Sequence, residues 1–304
     1  MLPASNSVRR ARPLLGTFVE ITVADRSAED TNPAIEAAFA AVAHVHTLMS
    51  FHEATSDVSR LNASASIAPV TVHPWTFHVL AHALDLHTCS RGVFDIAVAP
   101  VLQALRLLPT VEDDRFVPDE AAATSAAIEL LSGCRVRFRH SGLRIDLGGI
   151  AKGFGVDRAI AALRAYGVTQ ALVNAGGDLA AIGPQPETVH VRDPRDPSRL
   201  LLGLTITNQA LASSGKRRDP VRSTAPLDAA VIDPLTRSPV TTSMAATVCA
   251  PTCMVADALT KVVMIAGTAA TPALEHYRAS ALMVLADGSV EMTDDLVGAV
   301  CLAA

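Results

Sequence analysis

The stretch Ile145–Ala159, IDLGGIAKGFGVDRA, decides how this chain is read. A short run ending at Asp146 and Leu147 reads as a strand, Gly148 and Gly149 make a turn, and a helix is predicted over Phe154–Tyr166, closed by Gly167. A strand end, a glycine turn and a helix start together aim free backbone N–H groups at an anion. Lys152 adds a positive charge where phosphate oxygens would lie, and Asp146 precedes the turn. The spacing is not that of a P-loop, where the Lys is followed by Ser or Thr, nor that of three separated dinucleotide-binding glycines. A tight turn without any ligand produces the same local pattern, so the neighbouring segments have to decide.

Downstream, Ala171–Asn174 reads as a strand running into a second glycine loop at Gly176 and Gly177. The segments DLGGIAKG and NAGGDLAAIG look alike, but the likeness is too short to define a repeat. Further strands are predicted at Val189–Val191, Leu201–Ile206, Ala229–Ile232, Thr247–Ala250 and Leu282–Leu285. Pro251 and Thr252 lead into an apolar helix that stops at Gly267. Upstream, Thr17–Val23 alternates as a strand, and Asn32–Met49 and His73–Cys89 carry helical periodicity, the latter with Pro74 in its first turn. Arg91–Val101 is a loop feeding a short helix, and a helix is expected near Asp119–Thr124. Arg135–Arg139 and Leu143–Leu147 read as a hairpin around His140, Ser141 and Gly142. Strands and helices mix without strict alternation, which predicts an α+β fold of mixed sheets packed with helices. No Gly/Ser-rich or Pro-rich linker divides the chain, so residues 1–304 are expected to form one domain, with residues 1–11 flexible.

The composition narrows the function. With 304 residues and 50% hydrophobic content, the chain can bury a substantial core, and a formal net charge of −5 supplies no positive footprint for nucleic acid. The one tight basic run is Lys216, Arg217 and Arg218, which suits a solvated loop or a contact for a phosphate or an acidic partner. Five cysteines without a repeated spacing argue for reduced thiols, and Cys249 with Cys253 reads better as buried thiols than as half of a metal site. The start, MLPASNSVRRARPLLGT, has no continuous apolar stretch of a secretory leader, and no window is read as a membrane span. The chain as written therefore reads as cytoplasmic, or as periplasmic if a leader has been removed, with no membrane association evident.

Three further features bear chemistry. Asp257 lies inside an otherwise apolar helix, where a carboxylate needs a partner. Lys261, four residues on, supplies an ion pair on the same face; the sharper reading places Asp257 against a magnesium ion on a diphosphate. Phe94 and Asp95, within GVFDIAVAP (92–100), suit an aromatic ring and its polar edge, or a helix-capping aspartate. His52 stands in SFHEATSDVSRLN (50–62), a polar block that alone would pass as a loop and cap.

Taken in order, IDLGGIAKGFGVDRA, LVNAGGDLAAIG, GVFDIAVAP, SDVSRLN, VIDP (231–234) and VADAL (255–259) resemble the ApbE family, the FAD:protein FMN transferases, over residues 12–267. The resemblance implies an ApbE-type fold with an FAD cleft beside the glycine-rich turns and Mg²⁺ on the pyrophosphate. It implies transfer of FMN from FAD to a Thr or Ser hydroxyl of an acceptor flavoprotein, with release of AMP. Carried over by position, Leu15, His52, Val93, Phe94, Asp95, Asp146, Lys152 and Ile232 would line the FAD site. Gly149 through its carbonyl and Asp257 through its carboxylate would hold the ion, and Asp257 and Lys261 would stand at the reacting phosphates.

The sequence also departs from the family. Lys261 stands where relatives usually carry a metal-binding Thr, and an ammonium cannot coordinate Mg²⁺ although it can touch a phosphate itself. Ala230 stands where a His usually precedes the Ile-Asp-Pro stretch, which removes a proton-transfer group. Lys216, Arg217 and Arg218 replace a polar, often acidic run. A non-catalytic FAD-binding protein and an FAD pyrophosphatase are the alternatives these departures leave open.

Overall fold

Eight strands lie side by side in the order in which the chain produces them: Val8–Leu14, Thr17–Val23, Ala171–Ala175, Asp178–Ile182, Ala210–Gly215, Ser243–Ala250, Ser280–Leu285 and Val290–Met292. Every neighbouring pair is antiparallel, the pairing typical of an α+β fold. The computed structural model describes residues 7–24, 28–109, 123–196, 198–215 and 231–301, without the side chains of 28–30 and 301. Lys216, Arg217, Arg218 and Ala230 lie outside the described residues, as does most of the helix expected near Asp119–Thr124.

Strand Asp178–Ile182 is buried along its whole length because both faces of the sheet are covered. Ala180 and Ile182 face a core built with the helices Ala28–Met49 and Ala151–Ala165, which contribute Ile35, Phe39, Val156 and Ile160. Leu179 and Ala181 face the opposite core, which is closed by the strands Glu187–Arg192 and Leu200–Ile206 through Val191, Leu202, Leu204 and Ile206. Side chains alternate across a strand, so one continuous apolar run can serve both layers. A third core joins the helices Asp57–Ser64, Pro74–Cys89 and Cys253–Ala266 to a small sheet of Val70–Thr71, Arg135–Phe138 and Ile128–Leu131.

Two helices that matter for the site, Ala151–Ala165 and Cys253–Ala266, are clamped where they cross. The Asp157 carboxylate accepts from the N–H groups of Cys253 and Met254 at 2.8 and 2.9 Å, satisfying donors that a helix start leaves free. A Cβ on Gly153 would lie 2.2 Å from the Cys253 carbonyl oxygen, so only glycine permits this approach. Gly153 thus lies inside the helix, which begins at Ala151 rather than Phe154, and serves helix packing.

The hairpin expected over Arg135–Leu147 is not formed. Arg135–Phe138 pairs with Ile128–Leu131 instead, around a turn with Gly133 at φ 73°. Residues 143–147 form no strand and have their backbone bonded elsewhere: the Asn62 side chain brackets Ile145 through bonds of 2.8 and 2.9 Å, and the Asp146 N–H donates to Ile96 O at 2.9 Å. A side-chain amide therefore replaces a partner strand, which no alternation pattern reveals. At the N-terminus, strand Val8–Leu14 pairs residue by residue with Thr17–Val23, so residues 8–11 are sheet rather than flexible. Of the strand expected at Ala229–Ile232, the described part is Val231 and Ile232; Ile232, with Asp233, pairs with Ser238–Pro239. The run Cys253–His276 is, by length and hydropathy, apolar enough to cross a membrane, contrary to the sequence reading, but it is mostly buried and forms part of the core.

Candidate functional site

The glycine turn opens on a cleft of about 440 Å³ between the sheet, the loop 93–98 and the helix Cys253–Ala266. Leu15, Val93, Phe94, Asp95, Asp146, Gly149, Lys152, Ile232 and Lys261, all chosen from sequence, stand on its walls. Two chosen residues do not. His52 is exposed and does not line the cleft. Asp257 is fully buried behind the wall and acts through the lysines that cover it.

Local sequence explains how each wall residue is held. The Asp146 carboxylate folds back onto the Gly148 N–H at 3.0 Å and fixes the turn. Desolvation pushes its pKa up, opposed by the Gly148 N–H and by the charges of His52 and Lys261. The carboxylate of Asp95 caps its own loop: it accepts from the Ala97 N–H at 2.7 Å, from the Ser125 hydroxyl at 2.5 Å and N–H at 3.1 Å, and lies 3.4 Å from His87 Nδ1. It positions Phe94, whose carbonyl accepts from His87 Nδ1–H at 3.0 Å. Gly176, at φ 66°, turns the chain between two sheet strands and brings Ala175 to the cleft; a Cβ there would meet Thr17 Oγ1 at 2.4 Å.

Behind the glycine turn lies a charge cluster. Lys152, from the first turn of its helix, pairs closely with Asp178 and stands 3.5 Å from Asp257 Oδ1. Lys261 pairs closely with the same Oδ1 and also donates to the Asp257 carbonyl at 2.8 Å. Asp257 Oδ2 accepts from the Gly153 N–H at 3.0 Å. Desolvation alone would raise the Asp257 pKa, but Lys152 and Lys261 outweigh it and hold the group below the usual carboxylate range. Asp178 shares Lys152 and is pushed up to about 6 by desolvation and by the charge of Asp257. Burial works against the Lys152 ammonium, yet Asp257 and Asp178 more than compensate, so it stays charged.

Asp178 was missed at the sequence level, although the signal was present. It follows Gly176 and Gly177 directly and opens an apolar strand, the same anomaly that singled out Asp257. Ser213 and Ser214 on the cleft wall carried no such signal; Ser214 Oγ lies 2.8 Å from Thr260 Oγ1, which donates to the Asp257 carbonyl at 2.6 Å.

A divalent ion on Asp257 does not fit this arrangement. Hard cations need free oxygen donors, and both oxygens of Asp257 already carry donors, with two ammoniums on Oδ1. The stem of Lys261 lies against Gly149, where a Cβ would touch its Cε at 3.6 Å, and its ammonium is bound to Asp257, so this side chain adjoins both residues expected to hold the ion. Among the described residues, no three His, Cys, Asp or Glu side chains are grouped to hold a metal. Cys249 and Cys253 are free thiols buried in different cores.

A family model described as "ApbE family" matches residues 15–284, most of the chain and every wall of the cleft. The chain belongs to the ApbE family. Among curated ApbE-type relatives it is similar to the FAD:protein FMN transferase of Treponema pallidum, 28% identical over 95% of this chain and 87% of that one. The Haemophilus influenzae protein of the same name is 28% identical over 79% of this chain and 74% of its own. The crystal structure of an ApbE protein from Thermotoga maritima superposes with a TM-score of 0.84 at 24% identity, covering 97% of this chain and 99% of that one. The flavin transferase ApbE of Vibrio cholerae superposes with a TM-score of 0.80 at 23% identity over 97% and 99%. The architecture is thus that of the ApbE fold.

Proposed function

We propose that this protein transfers the FMN half of FAD to a Thr or Ser hydroxyl of an acceptor flavoprotein. The acceptor oxygen bonds to the FMN phosphorus, the bridging P–O bond of the diphosphate breaks, AMP leaves, and the hydroxyl proton passes to base or solvent. The observation that carries this reading is the cleft in which a glycine turn and two ammoniums, Lys152 and Lys261, meet on one wall. Phosphoryl transfer needs little covalent help from a protein; it needs positioning and positive charge on the phosphoryl oxygens. Family membership and relatives named FAD:protein FMN transferase support the choice of FAD as the donor.

In this reading Leu15, Val93, Phe94 and Ile232 take the apolar parts of the dinucleotide, and the N–H groups around Gly148 and Gly149 meet the diphosphate. Lys152 and Lys261 spread its negative charge, and Asp257, with Asp178, orients both ammoniums. Asp95 keeps the loop bearing Phe94 in place. No step is assigned to Mg²⁺, because the described donors leave it no seat on Asp257.

The test incubates the protein with FAD and a threonine-bearing flavoprotein, and follows covalent flavin fluorescence on the acceptor and AMP by chromatography. Labelled acceptor with matching AMP is the expected result. Bound but intact FAD, or FMN and AMP released without an acceptor, would reject transfer in favour of a flavin-binding protein or a pyrophosphatase respectively.

A further inference from the structure

We infer that Lys261 is the resident cation of this cleft, so that FAD is held by two ammoniums and its binding does not depend on a divalent ion. The inference rests on the flavin reading above and specifies how the site meets the diphosphate.

The charge count behind the glycine turn carries the case. Asp178 and Asp257 are 1% and 0% exposed, and Lys152 touches both, so these three groups together carry one uncompensated negative charge. Such a charge in a desolvated site must be met by another cation. Lys261 meets it: its ammonium pairs with Asp257 Oδ1, and its stem lies against Gly149. A divalent ion on the same oxygen would stand within a few ångströms of two ammoniums, and like charges at that distance repel strongly where water is scarce.

A purely structural ion pair would not need to face the ligand. Lys261 does: it lines the cleft beside Gly148, Gly149 and Ser214, and its side chain keeps 19% of its exposure. A flexible stem with three donors can keep one on Asp257 and turn the others to a phosphate oxygen. Replacing Lys261 by a hydroxyl residue would remove the ammonium, restore the missing charge and open an oxygen-lined place for an ion. The arrangement therefore exchanges a bound ion for a covalently attached one.

FAD affinity, read from quenching of flavin fluorescence, tests this in EDTA and in millimolar Mg²⁺ for the wild-type protein and for Lys261→Thr. The wild type is expected to bind FAD equally in both buffers, within about twofold. Lys261→Thr is expected to lose on the order of tenfold or more in EDTA and to recover most of it on adding Mg²⁺. Lys261→Met, which fills the space without a charge, is expected to lose affinity in EDTA as well. A wild-type protein that binds FAD tenfold more tightly with Mg²⁺ would overturn the inference while leaving the flavin reading intact. So would a Lys261→Thr protein that binds FAD in EDTA as the wild type does. No FAD binding by the wild type in either buffer would overturn the flavin reading itself, and this inference with it.

Discussion

The two glycine pairs, Gly148–Gly149 and Gly176–Gly177, look alike in sequence and do different work. The first pair precedes a helix and has no positive φ; the second turns a hairpin at φ 66° and 103°. Glycine in the first pair leaves room for the Asp146 carboxylate, which a Cβ on Gly148 would meet at 2.9 Å, whereas the second pair supplies backbone angles that other residues adopt only with strain. The residues that follow differ as well. Lys152 comes after the first pair and Asp178 after the second, and the two meet as an ion pair beneath the cleft. Similar turns thus deliver opposite charges to one point, with Asp257 from the apolar helix beside both.

That contrast can be broken. The largest effect is expected from Asp257→Ala, which leaves two ammoniums without their shared partner. Unfolding by denaturant should show a loss of about 3 kcal/mol, the lower end for a broken buried pair because both lysines keep some contact with water. Next comes Gly176→Ala, where a positive φ combines with a clash against Thr17; thermal or chemical unfolding should register a loss of about 2 kcal/mol or more.

Acidity probes the charges that the second pair delivers. The folded protein holds a proton on Asp178 more tightly than the unfolded chain, because its pKa is raised from 3.8 to about 6. The contribution of this group is therefore full below 3.8 and is lost as pH rises through about 6. Asp157, also raised to about 6 chiefly by desolvation, adds to the same fall. Asp178→Asn should flatten the stability curve across this window by on the order of 2 kcal/mol, leaving the part due to Asp157. An unchanged slope in that variant would mean that Asp178 does not titrate there.

The smallest effect on stability separates the two turns most sharply. Gly149→Ala places its Cβ at ordinary contact distances of 3.6 to 3.9 Å with no φ penalty, so stability should stay within about 0.5 kcal/mol. FAD affinity should nevertheless fall by about fivefold, or roughly 1 kcal/mol, because the methyl group narrows the cleft beside Lys261. If Gly149→Ala instead destabilised the fold as much as Gly176→Ala, the two turns would share one structural role.

How much of this was legible beforehand depended on how local the cause was. Helix ends were readable because their causes lie within a few residues: Pro74 at the first turn, Thr252 accepting from the Val255 N–H, and Gly167 at φ 73°. Motifs quoted in order along the chain located the glycine turns, the loop 93–98 and the segment 231–234 of the cleft wall, but not the strand that carries Ser213 and Ser214. The false hairpin over Arg135–Leu147 shows the limit. A segment outside helix and strand still needs partners for its backbone, and here Asn62, 83 residues away from Ile145, supplies them with a side chain. His52 failed for a related reason: its position in a motif does not say whether the chain turns it into the cleft or out to solvent.

By itself, the sequence determined the class of the fold, the extent of the family match and the chemical anomaly of a carboxylate in an apolar helix. These follow from periodicity, turn residues and the cost of burying charge, all of which are properties of residue type and spacing. The pair of Asp257 with Lys261, four residues on, was readable from helix spacing; only the tertiary structure added Lys152 and the Asp178 that shares it, two residues 26 apart in the chain brought together from two turns. Charges that far apart in the chain act on one another only when the fold has removed the water between them, and in this protein that step turns a suspected metal ligand into the anchor of two ammoniums.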